Sequence, residues 1–187
     1  NFVVERASFT GVEIGILQSL REVPGFIAFT TVFVLLLIRE QTFAVMSLAM
    51  LGLGVAATGF FPTVYGLYFT TVVMSLGFHY FEAVKQSLSL QWLSKDEAPQ
   101  ILGRLISVAS ITSLVVYGVL WVLLEVFQLD YLWNFLLAGV LCTGFAVVIW
   151  LGYPHFESKT PQHSHLVLRK RYWLYYALIF FSGARRQ

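Results

Sequence analysis

A stripe of polar residues runs through a long apolar stretch of the sequence. Ser75, His79, Glu82, Gln86 and Ser89 follow one another at intervals of four, three, four and three residues. At 100° per residue these positions fall within a sector of about 80°, so they share one face of a helix. A carboxylate in the hydrocarbon layer is costly unless it is hydrated, paired or protonated, and such groups often line proton or substrate paths. The stripe therefore predicts a proton-coupled transport site.

Other interpretations of the same residues stay open. Hydroxyl and amide side chains commonly hydrogen-bond to neighbouring helices, and His79 with Glu82 is also compatible with a structural pair. The His-x-x-Glu spacing occurs in metal sites, but these need further ligands from other helices. Only Glu22 lies at a comparable depth, so we predict no metal and no cofactor. The other histidines fall in a polar loop: His155, His163 and His165.

The composition is that of an integral membrane protein. The chain is 58% hydrophobic and 12% charged, and its mean hydropathy is +0.75, far from the balance of a soluble domain. A net charge of +2 is too small to favour nucleic acid as a partner. The sequence also lacks the nucleophile-elbow, phosphate-loop and His-Glu-x-x-His motifs, so we do not expect an enzyme.

Apolar runs long enough to cross the bilayer predict an all-α, polytopic transmembrane helical bundle. Short connections favour antiparallel neighbours, and the longest link is 153–171. We expect an N-terminal helical unit over 1–152, a central loop over 153–171, and the start of a second unit over 172–187. The predicted full spans are five: 11–38, 42–61, 63–93, 105–124 and 132–152.

The positive-inside rule predicts the orientation in an inner, plasma membrane. On this rule the loops 39–41, 94–104 and 153–171 are cytoplasmic, because the opposite side receives only Arg6. The basic residues on the cytoplasmic side are Arg39, Lys95, Arg104, Lys159, Arg169, Lys170 and Arg171. Those in the central loop are also suited to bind anionic lipid headgroups.

Charged residues within the spans lie at similar depths. Glu82 and Arg185 both lie about 21 Å along their helices from the cytoplasmic side, and Arg21 and Glu22 lie slightly farther out. We expect Glu82, Arg21 and the pair Arg185 and Arg186 to face a common cavity. Surplus arginine there favours an anionic solute, through bidentate contacts to carboxylate or phosphate. A structural ion-pair network is the alternative.

Two features predict how the helices pack and bend. Small residues at four-residue spacing, Gly52 with Ala56 and Gly54 with Thr58, allow a neighbouring backbone to approach closely. Pro24 followed by Gly25 removes a backbone donor inside the first span, which predicts a kink.

With this layout the chain resembles the major facilitator superfamily of secondary transporters, in which two six-helix units are joined by a long basic cytoplasmic loop. The loop 39–41 lacks the family's Gly-x-x-x-Asp-Arg-x-Gly-Arg-Arg motif, which indicates a divergent, bacterial branch. The segments that carry the resemblance are Gly11-x-x-x-Gly15-x-x-x-Ser19, Arg21 to Gly25, Gly77 to Glu82, Arg169 to Trp173 and Ser182 to Gln187.

The resemblance implies a fragment covering helices two to six and the beginning of helix seven. It also implies alternating access around a midplane site lined by helices one, four and seven. The stripe on helix four, with Gln86, would then face Arg185 and Arg186. The implied partners are a small solute, protons, the lipid bilayer and the remaining C-terminal half. The alternatives are a membrane-embedded cofactor-binding subunit, or a membrane scaffold or receptor that does not transport.

Overall fold

Every regular element of the described chain is helical. The computed structural model describes residues 2–94, 96–152, 170–175 and 177–178. Short 3-10 segments cover Ala28–Thr30 and Lys170–Tyr172, and a π-turn covers Val122–Val126. The prediction of an all-α fold is confirmed over these ranges. The α-helices are α1 Phe2–Ala7, α2 Gly11–Ile27, α3 Thr31–Leu35, α4 Glu40–Thr58, α5 Val64–Trp92, α6 Ala98–Trp121 and α7 Tyr131–Gly152.

Within the described ranges, three helices are long and apolar enough to cross a membrane. They are α4, α6 extended by its π-turn, and α7. The helix α2 has 17 residues and contains the charged residues Glu13, Arg21 and Glu22. The helix α5 is longer but carries His79, Glu82 and Lys85. The coarse prediction of a helical membrane protein is therefore supported, whereas the number of complete spans stays a prediction.

The first predicted span, 11–38, is not one continuous helix. The α-helix passes through Pro24 and ends at Ile27, where the chain changes to a 3-10 turn before α3 begins at Thr31. Pro24 cannot donate to the preceding turn. The Thr30 hydroxyl donates to the Ile27 carbonyl, with 2.7 Å between the oxygens. The predicted distortion thus occurs as a change of helix type a few residues after the proline.

The helix α6 begins earlier than predicted, at Ala98. Before it, the Ser94 hydroxyl donates to the Glu97 carboxylate at 2.6 Å, and the Glu97 backbone N–H donates back to Ser94 at 3.3 Å. This reciprocal pair and Pro99 in the first turn are helix-start signals. Arg104 therefore lies on the second turn of α6, and the part of the predicted loop 94–104 that follows Glu97 is helical.

The helices pack side by side in the order α2, α5, α4, α7. The helix α5 is antiparallel to α4, since Glu40 at the start of α4 accepts a hydrogen bond from Ser87 near the end of α5, at 3.0 Å. It is parallel to α2, because Glu13 meets Tyr68 and Gly25 meets His79. The helix α6 contains no buried residue.

Small residues set the close contact on both sides of α4, as the sequence predicted. A Cβ atom on Gly52 would lie 2.9 Å from the carbonyl oxygen of Gly139 on α7. A Cβ atom on Gly54 would lie 2.9 Å from the backbone nitrogen of Met74 on α5. Side chains larger than hydrogen would separate these helices, so the glycines allow the backbones to touch.

The described helices place Arg39 and Arg104 at one end of the bundle and Arg6 at the other, and the orientation of these ends in a membrane stays a prediction. Arg39 is the residue that precedes the first turn of α4, and Arg104 lies near the start of α6 at the same end. Arg6 lies at the opposite end, where its guanidinium pairs with the Asp130 carboxylate at 3.0 Å. Lys95, most of the central loop (153–169), and the predicted site residues Arg185 and Arg186 lie outside the described residues.

Candidate functional site

The polar stripe lies on a single continuous helix, α5, so its five members share one face as predicted. Its members differ in exposure. Ser75 is buried, His79, Glu82 and Ser89 are half-buried, and Gln86 is exposed. The stripe therefore starts inside the bundle and becomes more open towards the end of α5 that meets the start of α4.

The opposite face of α5 packs against α4. Gly77, Tyr80 and Ser87 contact α4, and Val84 is fully buried in the apolar core. At 100° per residue these positions centre about 160° around the helix from the stripe. The stripe therefore points away from the apolar core of the described bundle.

Glu82 is paired within its own helix. The Lys85 ammonium donates to the Glu82 carboxylate one turn away, and the two side chains are 49% and 44% exposed. The Lys85 ammonium also lies 6.0 Å from the centre of the Phe81 ring. This pair accounts for Lys85 inside an apolar span, because each charge offsets part of the other's desolvation.

Arg21 and Glu22 form a second pair on α2, with 3.8 Å between guanidinium Nε and carboxylate Oε1. The Glu22 side chain is the less exposed of the two, at 28% against 60%. Each carboxylate of the predicted site thus has its cation on its own helix. The predicted common cavity with Arg185 and Arg186 stays a prediction, because those arginines lie outside the described residues.

His79 packs where α2 has no side chain. Its imidazole lies over Gly25, so that a Cβ atom there would be 3.2 Å from Cε1 and 3.5 Å from each ring nitrogen. The Phe78 ring stands nearly perpendicular to the imidazole, with 5.3 Å between ring centres. Next to it, the Tyr80 and Thr30 hydroxyls are 2.8 Å apart. Two consecutive residues of α5 therefore contact the last turns of α2 and the 3-10 turn that follows it.

A polar network that the sequence analysis missed joins α4 to α5. The Glu40 carboxylate accepts from the Ser87 hydroxyl at 3.0 Å and from the Gln91 amide at 2.6 Å. Ser87 and Gln91 are four residues apart, so they share a face of α5. That spacing was a usable signal, but it became specific only once the register of α4 on α5 was known.

A cavity of about 270 Å³ opens between α4, α5, α6 and α7. Its walls are mainly apolar, and Lys85 and Ser89 supply the polar side chains. The Ser89 hydroxyl donates to the Lys85 carbonyl at 2.8 Å, so it is already satisfied within α5. Across the described residues, no group of three histidine, cysteine or carboxylate side chains is arranged to hold a metal ion.

Comparison with known proteins finds no matching family model, no matching curated protein and no matching solved structure. The arrangement of residues in the structure therefore carries the functional argument.

Proposed function

We propose that this chain is part of a secondary transporter that moves a small anionic solute together with protons, by alternating access, in a divergent branch of the major facilitator superfamily. The observation that carries the proposal is the pairing of α2 with α5. Both helices bring ionisable side chains into a bundle whose other long helices are apolar enough to span a membrane. Side chains of this kind within membrane helices mark ion or substrate paths.

The positions of the charges support this function over a purely structural one. The apolar core needs only the α4 side of α5, where Val84 and Leu88 are buried. Ionisable residues on the other side contribute nothing to that core, although they cost free energy at membrane depth. A membrane scaffold would fold without them, and a cofactor-binding subunit would need more histidine or carboxylate ligands. The proposed location is a plasma membrane, with α4 beginning on the cytoplasmic side.

Uptake into liposomes tests the proposal. The purified protein is reconstituted, and uptake of radiolabelled inorganic phosphate, a monocarboxylate and a dicarboxylate is measured with and without an imposed pH gradient. We expect saturable uptake of at least one anion, accelerated by the gradient. We further expect Glu82→Gln to abolish the acceleration, because the amide cannot bind and release a proton.

A control keeps this result specific. Glu125 is exposed in the π-turn that follows α6, so Glu125→Gln changes the same chemical group away from the site and should leave the acceleration intact. Unchanged proton coupling in the Glu82→Gln variant would overturn the role of Glu82. The lack of uptake of every anion would count against transport of this solute class.

A further inference from the structure

The contact between α2 and α5 aligns three ionisable residues along the helix axes. Gly25 faces the His79 imidazole. Glu22 lies three residues before Gly25 on α2, so these two residues share a face of α2. Glu82 lies three residues after His79, so these two share a face of α5. Because the two helices are parallel, the Cα atoms of Glu22 and Glu82 lie on opposite sides of the level of the Gly25–His79 contact, each about 4.5 Å away along the axis.

We propose that Glu22, His79 and Glu82 form a proton relay along the α2–α5 contact, with Gly25 as the residue that positions the imidazole. The inference rests on the proposed transport function and specifies the proton path within it. That path lies between two helices of the described bundle, so it does not require the arginines at 185 and 186.

Each step of the relay conserves atoms and charge. A protonated Glu22 carboxyl gives its proton to one ring nitrogen of His79. The imidazolium then releases the proton on its other ring nitrogen to the Glu82 carboxylate. The ring returns to the neutral state as the opposite tautomer, and rotation of the ring resets it. The net result is the movement of one proton from the Glu22 side to the Glu82 side.

The neighbouring cations fit this role. Among the described residues, the charged groups within two helical turns of the Gly25–His79 contact on these two helices are Arg21 and Glu22 on α2 and Glu82 and Lys85 on α5. Each carboxylate has a cation on its own helix when it is ionised. Protonation of a carboxylate releases that cation. As the proton moves from Glu22 to Glu82, the cation without a carboxylate partner therefore changes from Arg21 to Lys85, while the net charge of the group stays the same.

Gly25 decides whether the imidazole reaches its position. A methyl group on Gly25 would approach His79 Cε1 to 3.2 Å, so the ring would have to shift. Gly15 on the same helix has no atom within 4 Å of the equivalent position. Gly15→Ala is therefore a matched control for Gly25→Ala, with the same gain in helix propensity and no contact with the ring.

The first arm of the test measures the imidazole itself. His155, His163 and His165 are replaced by Asn, so that the isotope-labelled protein in lipid nanodiscs gives ring NMR signals from His79 alone. We expect Glu22→Gln, Glu82→Gln and Gly25→Ala each to change these signals, and Gly15→Ala and Glu125→Gln to leave them unchanged. His79 ring signals that stay unchanged in both the Glu22→Gln and the Glu82→Gln variant would overturn the relay.

The second arm measures the pH profile of anion uptake in liposomes. We expect Glu22→Gln, His79→Asn and Gly25→Ala to flatten the profile, and Gly15→Ala to keep it. A wild-type profile in these three variants would overturn the relay and leave the transport function standing. A wild-type protein that takes up no anion would instead contradict the proposed function, while the NMR arm still reports whether the carboxylates lie beside the imidazole.

Discussion

At the scale of single residues, His79 and Tyr80 have different tasks although they are adjacent. His79 points its ring at Gly25 in the regular part of α2, whereas the Tyr80 hydroxyl meets Thr30 in the 3-10 turn. The Thr30 hydroxyl also donates to the Ile27 carbonyl, so the Thr30 hydroxyl oxygen can accept a hydrogen bond from the Tyr80 hydroxyl. Tyr80 therefore fixes the distorted turn to α5 through a single hydroxyl group.

Removal of that hydroxyl should weaken the attachment. We expect Tyr80→Phe to lower the free energy of unfolding by about 1 kcal/mol, because the part-buried hydrogen bond is lost while the ring still packs against Phe43. Tyr117→Phe is the matched control, since Tyr117 is 70% exposed on α6. Thermal unfolding in detergent measures both variants. Equal effects would show that the Tyr80 hydroxyl contributes nothing specific.

The same residues show what a sequence can predict about a site. The shared face of Ser75, His79 and Glu82 follows from helical periodicity, which is local, and the continuous α5 bears it out. The Glu82–Lys85 pair was also predictable from its three-residue spacing. The contact of His79 with Gly25 was not, because it depends on the register between two helices that are distant in sequence.

At the scale of helices, α4 lies between α5 and α7 in the described bundle. Glycines at both contacts allow these two neighbours to approach it closely. Gly139 on α7 shows how tight this contact is: a Cβ atom there would overlap Ala56 on α4. The small-residue spacing predicted a close approach but not the partner. The partner is set by the antiparallel register, in which Gly59 meets Leu132 and Gly52 meets Gly139.

Substitution of these glycines separates packing from helix propensity. We expect Gly139→Ala to destabilise the protein by about 1–3 kcal/mol, the usual cost of forcing extra atoms into a packed contact. Gly144→Ala, on the same helix but with open space around it, should be neutral or gain up to about 1 kcal/mol from helix propensity. Denaturation of both variants in the same detergent measures the difference. A stabilised Gly139→Ala variant would contradict the α4–α7 contact.

At the scale of the whole molecule, polar contacts tie the helices together at both ends. At one end Glu40 joins α4 to α5 through Ser87 and Gln91. At the other, the Arg6–Asp130 pair attaches α1 to the turn before α7. The Glu40 end also carries Arg39 and Arg104, so the positive-inside rule, which counts Lys and Arg, predicts that this end is cytoplasmic.

Labelling of single cysteines tests this orientation. In a Cys142→Ala background, Phe127→Cys places a thiol in the exposed turn between α6 and α7, and Gln100→Cys places one in the exposed first turn of α6. A membrane-impermeant maleimide added to intact cells should label the first variant and should reach the second only after permeabilisation. The reverse pattern would invert the topology, and with it the direction of the proposed relay. Since Glu22 lies nearer the outer end of the parallel pair and Glu82 nearer the inner end, the expected pattern means that protons entering from outside meet Glu22 first.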